Sequence, residues 1–262
     1  MNSLKIAKYQ LQDVLRSRWI LVYGIFFLLM TDALFRFGGS GERVILSLMN
    51  VVLIAVPLVA VVLGTMYLYS SREFTELLLS QPVRRRSLFG GLFVGLAVPL
   101  SLAFALGVGL PFWAHGGIVD GGWGPILMLL GTGVGLTLIF ASLAFVVALA
   151  TEDRIKGQGF SLGIWVFFTV VFNGLVLLAI YTLDGYPMEK PVIALSLLNP
   201  VDLGRILLLL NFDISALMGF TGAVFKQFFG SGLGQVVTIG ALAAWLAAPL
   251  ALGMRSFNRK NF

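Results

Sequence analysis

Long runs of apolar residues, separated by short clusters of charge, dominate the pattern along the chain. Five stretches carry no Lys, Arg, Asp or Glu: residues 44–71, 87–119, 121–151, 157–183 and 227–254. Each is longer than the ~20 residues that a helix needs to cross the ~30 Å hydrocarbon core of a bilayer. A sixth apolar stretch, from Trp19 to Phe35, is interrupted only by Asp32. The pattern therefore predicts six membrane-spanning segments.

These spans are predicted to be helices, because polar and apolar residues do not alternate along them as they do in the strands of a membrane barrel. A helix also satisfies its backbone hydrogen bonds within one segment, which the bilayer interior requires. The predicted fold class is an all-α polytopic membrane protein, with one transmembrane domain over residues 1–262. We place the spans, TM1 to TM6, at 19–35, 44–69, 88–112, 124–150, 160–182 and 235–254.

The composition agrees with a membrane protein and excludes several kinds of site. Charged residues are 11% of the chain and hydrophobic residues 58%, with a mean hydropathy of +0.97. A soluble domain carries about 25% charged residues. There is no cysteine and one histidine, His115, which excludes disulfides, thiolate metal sites and a histidine metal cluster within one chain. We predict no metal site, no catalytic residues and no cofactor bound by this chain.

Two nucleotide-related functions are also excluded. No Gly-x-x-x-x-Gly-Lys-Ser/Thr loop occurs, so this chain does not hold ATP in a phosphate-binding loop of that type. Basic residues are scattered among the apolar spans and form no cationic face, which argues against nucleic acid as a partner. Any ATP used by this protein is therefore expected in another chain.

The distribution of basic residues predicts the orientation. Six crossings put both termini on one side, and thirteen of the 18 Lys and Arg residues fall on that side. The positive-inside rule then places both termini in the cytoplasm. Residues 3–17 show helical spacing of Leu4, Ala7 and Leu11, opposite Lys5 and Lys8. This segment is predicted to be an amphipathic helix in the membrane interface; an ordinary cytoplasmic helix and a frayed tail are the alternatives.

The cytoplasmic connection 71–86 has the pattern of a short amphipathic helix. Phe74, Leu77 and Leu78 share one helical face, and Glu73 and Glu76 lie on another. A proline ring disfavours helical geometry at the residue before it, so the helix is expected to stop before the proline of this segment. A partner-binding knob and a solvated loop whose arginines obey the charge rule both fit. The candidate partner-binding residues are Glu73, Phe74, Glu76, Leu77, Leu78, Gln81, Pro82 and Arg84.

The outer segment 183–234 is too apolar for a solvated loop and too charged for a full crossing. Asn199, Pro200 and Asp202 give a helix start, with a capping asparagine, a proline at the first helical position and an acid in the first turn. We predict helices that dip into the outer leaflet or lie along it. An interfacial cap without a transport function is the alternative. The candidate residues for an outer partner are Asn199, Pro200, Asp202, Arg205, Asp213 and Lys226.

Three residues within the predicted spans, one carboxylate and two amides, are candidates for a polar role in the membrane. An intramembrane carboxylate is by default a functional candidate, but Asp32 lies near the outer end of TM1 and is better explained by a structural role. Asn50 and Asn173 are expected to hold helices together. The four-residue spacing of Gly131 with Gly135, and of Gly91 with Gly95, predicts close helix packing.

One motif resembles a known family. The stretch Glu73-Phe-Thr-Glu-Leu-Leu-Leu-Ser-Gln-Pro-Val-Arg-Arg85 is similar to the Glu-Leu-Leu-Leu-Ser-x-Pro-Val-x-Arg stretch in the coupling helix of ABC-2 type permeases. The Gly-Thr that usually precedes it is Phe74-Thr75 here. The resemblance implies that this segment inserts into a groove of a cytoplasmic ATPase, which holds ATP and Mg, and transmits the closure of the ATPase to the spans.

A second stretch resembles one branch of that family. Leu197-Leu-Asn-Pro-Val-Asp-Leu-Gly-Arg205, with Phe225-Lys-Gln-Phe-Phe229, is similar to the permeases that serve nitrous oxide reductase maturation. The resemblance implies a homodimer in a bacterial inner membrane, bound to two ATPase subunits and to a periplasmic copper-handling β-helix protein. ATP hydrolysis would then serve assembly of the reductase copper centres. Export of a lipid, drug or sulfur compound is the alternative, and an ATP-independent secondary transporter is a weaker one, because no chain of acids crosses the bilayer.

Overall fold

A computed structural model describes residues 18–38, 41–80, 83–116, 123–182, 189–211 and 232–260. Within these ranges, six helices are long and apolar enough to cross a membrane. The helices are α1 Arg18–Gly38, α2 Gly41–Ser70, α3 Arg72–Leu79, α4 Arg85–Ala114, α5 Gly124–Ala150, α6 Arg154–Thr182, α7 Glu189–Leu197, α8 Pro200–Asn211 and α9 Gly232–Arg259. The spans are α1, α2, α4, α5, α6 and α9, which confirms the all-helical, six-span prediction.

Three of the six spans form the core of the bundle. In α2, α4 and α5, 56 to 67% of the residues in an apolar 18-residue stretch of the helix are buried. The corresponding share in α1, α6 and α9 is 11 to 22%. Because α2 packs along α5 and α1 along α4, the central helices are covered on several sides. The peripheral helices present long apolar faces outward, as expected of surfaces that contact lipid or other membrane chains.

Glycines allow close helix crossings, at positions other than Gly131 and Gly135. Gly91 and Gly95 are buried within the bundle. A Cβ added at Gly107 of α4 would lie 2.7 Å from the backbone oxygen of Gly24 in α1. One added at Gly64 of α2 would lie 2.6 Å from the Cβ of Ala144 in α5. The predicted packing role of Gly131 and Gly135 is wrong within this chain, since a Cβ at either would meet nothing within 4 Å.

Most observed helices extend beyond the predicted spans. The prediction followed the apolar residues, whereas the helices continue through polar ends; α4 begins at Arg85 and α6 at Arg154. The start of α6 is fixed by Asp153, whose carboxylate accepts hydrogen bonds from the backbone N–H groups of Ile155 (2.8 Å) and Lys156 (3.4 Å). The predicted interfacial helix at 3–17 lies outside the described residues.

Helices α7 and α8 form a helical hairpin between α6 and α9, which we call the re-entrant hairpin. With 9 and 12 residues they span about 13 and 18 Å, too short to cross the bilayer. The hairpin is nevertheless embedded: a Cβ at Gly204 would lie 3.0 Å from the side chain of Thr132 in α5 and 3.4 Å from that of Leu53 in α2. Residues 189–211 thus form two short helices packed on protein, and their placement in the outer leaflet stays a prediction. Residues 183–188 and 212–231 lie outside the described residues.

Candidate functional site

Helix α3 lies at the end of the bundle that carries Arg72, Arg85 and Arg154, which we call the basic end. The sequence pattern predicted that its apolar residues share one face, and this prediction is wrong because they point in different directions. Leu78 is buried, whereas Leu77 is 69% exposed and Phe74 is 41% exposed. The reason is that α3 rests on the bundle through Leu78 and the buried Thr75, which turns Leu77 and Phe74 outward.

The outward face of α3 combines two apolar side chains with carboxylates. Glu73 and Glu76 are exposed beside Phe74 and Leu77. Glu76 forms an exposed ion pair with Arg72, with Nε 3.3 Å from Oε1; an exposed i,i+4 pair of this kind adds little stability. An apolar pair rimmed by charge is the arrangement that protein interfaces use at their centre. The face therefore has the chemistry of a docking surface for a protein.

Helix α3 is continuous with the end of α2. The backbone N–H of Ser71 donates to the carbonyl of Tyr67 (2.9 Å), and the N–H of Thr75 donates to the carbonyl of Ser71 (2.9 Å). The Thr75 hydroxyl also donates to the Ser71 carbonyl (2.7 Å). Because helical hydrogen bonding runs almost without a break, a displacement of α3 acts directly on the end of α2.

On its other flank, α3 is followed by Arg85, which binds the end of α9. Nη1 of Arg85 donates to the carbonyls of Lys260 (2.8 Å) and Asn258 (3.1 Å). These last carbonyls lack helical partners, and a cation there is favourable. Nζ of Lys260 in turn donates to the carbonyl of Leu149 (2.9 Å), near the end of α5. The start of α4 and the ends of α5 and α9 thus meet beside α3.

The charge of α3 also reaches this junction. Burial lowers the pKa of the Lys260 ammonium, and the positive charge of Arg72 lowers the pKa further, against an opposing effect of Glu152. Arg72 is the first residue of α3. The positive charge at the beginning of α3 therefore acts on the junction between α5 and α9.

Gln81 and Pro82 lie outside the described residues, and so do Asp213 and Lys226. The observed helix ends at Leu79, within the predicted segment 71–86. Arg84 is exposed and has extended backbone, one residue before α4 begins. It therefore lies exposed at the basic end of the bundle, at the start of α4.

The outer candidates occupy the turn of the re-entrant hairpin. Asn199 caps α8 as predicted, with its Oδ1 accepting from the N–H of Val201 (2.9 Å). Asn199 and Pro200 are buried, so within this chain they support the helix start and do not form an exposed contact surface. Asp202 pairs with Arg205, with 3.3 Å between Oδ1 and Nη1, and only Arg205 retains about a third of its side chain exposed.

The three intramembrane polar candidates have different surroundings. Asp32 forms an ion pair with Arg36 (2.8 Å) and lies 3.4 Å from Nε2 of His115, so it links α1 to the end of α4. Asn173 donates to the Thr169 carbonyl of its own helix (3.3 Å). Asn50 is exposed on the surface of α2. Among the described residues no group of three or more His, Asp or Glu side chains is placed to hold a metal ion.

An apolar groove lies between α5, α7 and α9. It has a volume of about 460 Å³, and its lining includes Leu143, Leu197, Trp245 and Ala248. The indole N–H of Trp245 donates to the carbonyl of Leu197 (3.1 Å), which holds the groove wall to the hairpin turn. The groove has room for an apolar group, but its lining offers no charged side chain.

Within the described residues, six long apolar helices, with a short outward-facing helix between the second and the third, define a multi-pass membrane protein. Residues 4–262 match the family model described as ABC-2 family transporter protein, and the chain belongs to that family. It is similar to the probable ABC transporter permease protein NosY of Pseudomonas aeruginosa, with 30% identity over 97% of both chains. The probable ABC transporter permease protein NosY of Stutzerimonas stutzeri is 29% identical over 99% of both chains.

The contacts that join the helix ends beside α3 do not follow from the sequence pattern. Arg85 and Lys260 carry charges at the ends of apolar spans, and the pattern assigns them only to the membrane surface. Both act through carbonyl groups at helix ends, and such acceptors leave no trace in the pattern of side chains. A lysine or arginine next to a helix terminus is the only signal that could have pointed to these contacts.

Proposed function

We propose that this chain is the non-catalytic membrane subunit of a complex that couples cytoplasmic ATP hydrolysis to a partner outside the membrane. The basic end faces the cytoplasm of a bacterial cell, both termini lie there, and α3 is the coupling helix. ATP and Mg are held by a separate ATPase chain. A homodimer of this chain binds two such ATPase subunits.

The observation that carries this proposal is the outward face of α3. Leu77 is 69% exposed and Phe74 41% exposed, on a helix that is attached to α2 through backbone hydrogen bonds. In a cytoplasmic loop, exposed apolar side chains of this size have no lipid to contact and favour a protein partner. Membership of the ABC-2 family supports an ATPase as that partner.

The likeness to proteins named NosY supports a narrower role. We propose that the complex assembles the copper centres of nitrous oxide reductase, and that the outer surface near the hairpin binds a periplasmic copper-handling β-helix protein. Arg205, with Asp213 and Lys226 in the segment that follows, is the proposed contact. Asn199 and Pro200 shape the hairpin that presents it, and Asp202 pairs with Arg205.

A deletion experiment tests the narrower role. In a host that makes nitrous oxide reductase, removal of this gene is expected to leave a reductase without its copper centres, measured as copper per protein and by the visible spectrum. The unaltered gene should restore both, and a gene with Leu77→Arg should not. A copper-loaded reductase in the deletion strain would refute the role in copper-centre assembly.

Export of an apolar compound is a second candidate function, favoured by the groove of about 460 Å³ between α5, α7 and α9. Vesicles that contain only this chain and its ATPase distinguish the two functions. ATP-dependent flux of a labelled lipid through such vesicles would favour export. Force transmission predicts no lipid flux in these vesicles, and predicts that ATP changes the conformation of the outer surface.

A further inference from the structure

Helix α6 has a lower half, Arg154–Val166, and an upper half, Phe172–Thr182. The lower half is held to α2 by polar contacts along its length. The Thr65 hydroxyl of α2 is hydrogen-bonded to Oε1 of Gln158, and Nε2 of Gln158 approaches the carbonyl of Val62 (3.4 Å). Higher up, the indole N–H of Trp165 donates to the carbonyl of Ile54 (3.0 Å). Polar contacts between helices in lipid have few competitors, because water is absent.

A further contact lies at the end of α2, immediately before α3. The Tyr69 hydroxyl donates to the carbonyl of Thr151 (3.1 Å), in the turn that leads into α6. Gly157 packs against the same hydroxyl so closely that a Cβ at this position would overlap it. The side chains of α2 therefore leave the lower half of α6 little freedom to slide or rotate on its own.

Above these contacts, α6 changes its helical form. Residues Phe167–Val171 form a π-helical turn, between α-helical segments that end at Val166 and begin at Phe172. A π-turn inserts one extra residue into the helical register, and such turns mark places where a helix bends or shifts. Only Phe172 is buried in the segment Phe172–Thr182, so the upper half of α6 has few contacts to resist movement.

The re-entrant hairpin is joined to α6 at this π-turn. Nδ2 of Asn199 donates to the carbonyl of Phe168 (2.9 Å) and to Oδ2 of Asp202 (2.8 Å). Asn199 is fully buried and also caps α8. One side chain therefore connects the point where α6 changes register to the start of the helix that returns to the outer surface.

We infer that α2 and the lower half of α6 move as one body with α3, and that Asn199 passes this movement to the re-entrant hairpin. Thr65, Gln158, Tyr69 and Asn199 are positioning residues of this route. The inference rests on the proposed function, since it names the path by which ATPase movement would reach the outer surface. A second connection, from Trp245 to the carbonyl of Leu197 (3.1 Å), holds the other side of the hairpin turn to α9 and serves as its fixed support.

Spin labels test this route, because a chain without cysteine accepts labels only where cysteines are introduced. One labelled pair, Ser70→Cys with Ile155→Cys, reports on the contact between α2 and α6. A second pair, Leu127→Cys with Leu198→Cys, reports on the hairpin turn relative to α5; all four positions are exposed. The measurement uses the complex with its ATPase in lipid, with labelled chain diluted by unlabelled chain, before and after addition of a non-hydrolysable ATP analogue.

The unaltered complex is expected to keep the first distance and to change the second when the analogue binds. In Thr65→Val the first distance should broaden and the second should no longer respond, whereas Thr65→Ser, which keeps the hydroxyl, should behave as the unaltered chain. Asn199→Ser, which keeps a capping oxygen but cannot reach Phe168, should lose the response of the second distance alone. Thr31→Val is the matched control, because the buried Thr31 hydroxyl bonds only within its own helix.

Two outcomes would overturn the inference, and a third would overturn the proposed function. A full hairpin response in both Thr65→Val and Asn199→Ser overturns the inference. So does a response that survives in Asn199→Ser and disappears in Trp245→Phe, because the movement would then pass through α9. If the unaltered complex binds the ATPase and shows no hairpin response at all, the proposed function itself is wrong. If Asn199→Ser does not fold, the comparison of Thr65→Val with Thr65→Ser still decides the lower part of the route.

Discussion

A chain that carries Leu77→Arg is expected to insert and fold normally but to lose its ATPase. The Leu77 side chain is 69% exposed, so an arginine there displaces nothing within the chain. At an interface the same substitution removes a buried apolar contact and places an unpaired charge in its position. Centrally placed interface residues are worth about 2 kcal/mol or more, and each ~1.4 kcal/mol is tenfold in affinity. We therefore expect affinity to fall by at least about 30-fold.

The measurement is co-purification, followed by titration of the ATPase onto the chain in lipid nanodiscs. Ile155→Arg is the matched control: Ile155 is 83% exposed at the same end of the bundle, but it lies outside α3. Thermal unfolding of both variants should match that of the unaltered chain. Equal ATPase binding by the Leu77→Arg and Ile155→Arg chains would remove α3 from the interface.

Arg205→Met is expected to cause the largest loss of stability among single changes in the hairpin. Arg205 is the cation beside Asp202, whose side chain is only 13% exposed. Removing one partner of a fully buried ion pair costs roughly 3–5 kcal/mol. Because Arg205 is a third exposed, water screens part of this effect, and we expect about 2 kcal/mol. For a chain of this size that is a fall of about 4–8 °C in the unfolding temperature.

Two further variants test whether the loss of stability comes from an unpaired buried charge. The double variant Asp202→Asn with Arg205→Met removes both charges, and it should recover most of the lost stability because no buried charge remains unpaired. Arg36→Met breaks a shorter ion pair, 2.8 Å from Asp32, but the Arg36 side chain is 70% exposed, so little change is expected. A double variant no more stable than Arg205→Met alone would mean that Arg205 stabilises the hairpin in another way, such as by packing.

The spans could be predicted because a single physical requirement, burial of the backbone in lipid, acts on every residue within them. The same holds for the start of α8: Asn199, Pro200 and Asp202 act on adjacent backbone groups, and local sequence is enough to identify them. Helix ends were predicted too short, because residues such as Arg85 and Arg154 continue a helix beyond the hydrocarbon without adding hydrophobicity.

What the sequence could not provide is the direction in which each helix meets its neighbours. Leu77 and Leu78 lie about 100° apart on a helical wheel, and only the position of α3 on the bundle decides that Leu78 is buried and Leu77 exposed. Gly133 lies between Gly131 and Gly135, but it alone of the three packs closely, against the ring of Phe104. The contacts of Asn199 and Tyr69 end on backbone carbonyls distant in sequence, at Phe168 and Thr151, which no pattern of residue types records.

Crosslinking from α3 tests the coupling role most directly. With no cysteine elsewhere in the chain, Phe74→Cys carries a photoreactive maleimide at one position of the outward face, and Phe37→Cys, 91% exposed at the opposite end, carries it as the control. In membranes that mature nitrous oxide reductase, the label at Phe74→Cys is expected to capture a nucleotide-hydrolysing chain, and the label at Phe37→Cys is not. Capture of no ATPase from position 74, in membranes where the reductase still receives its copper, would contradict the account.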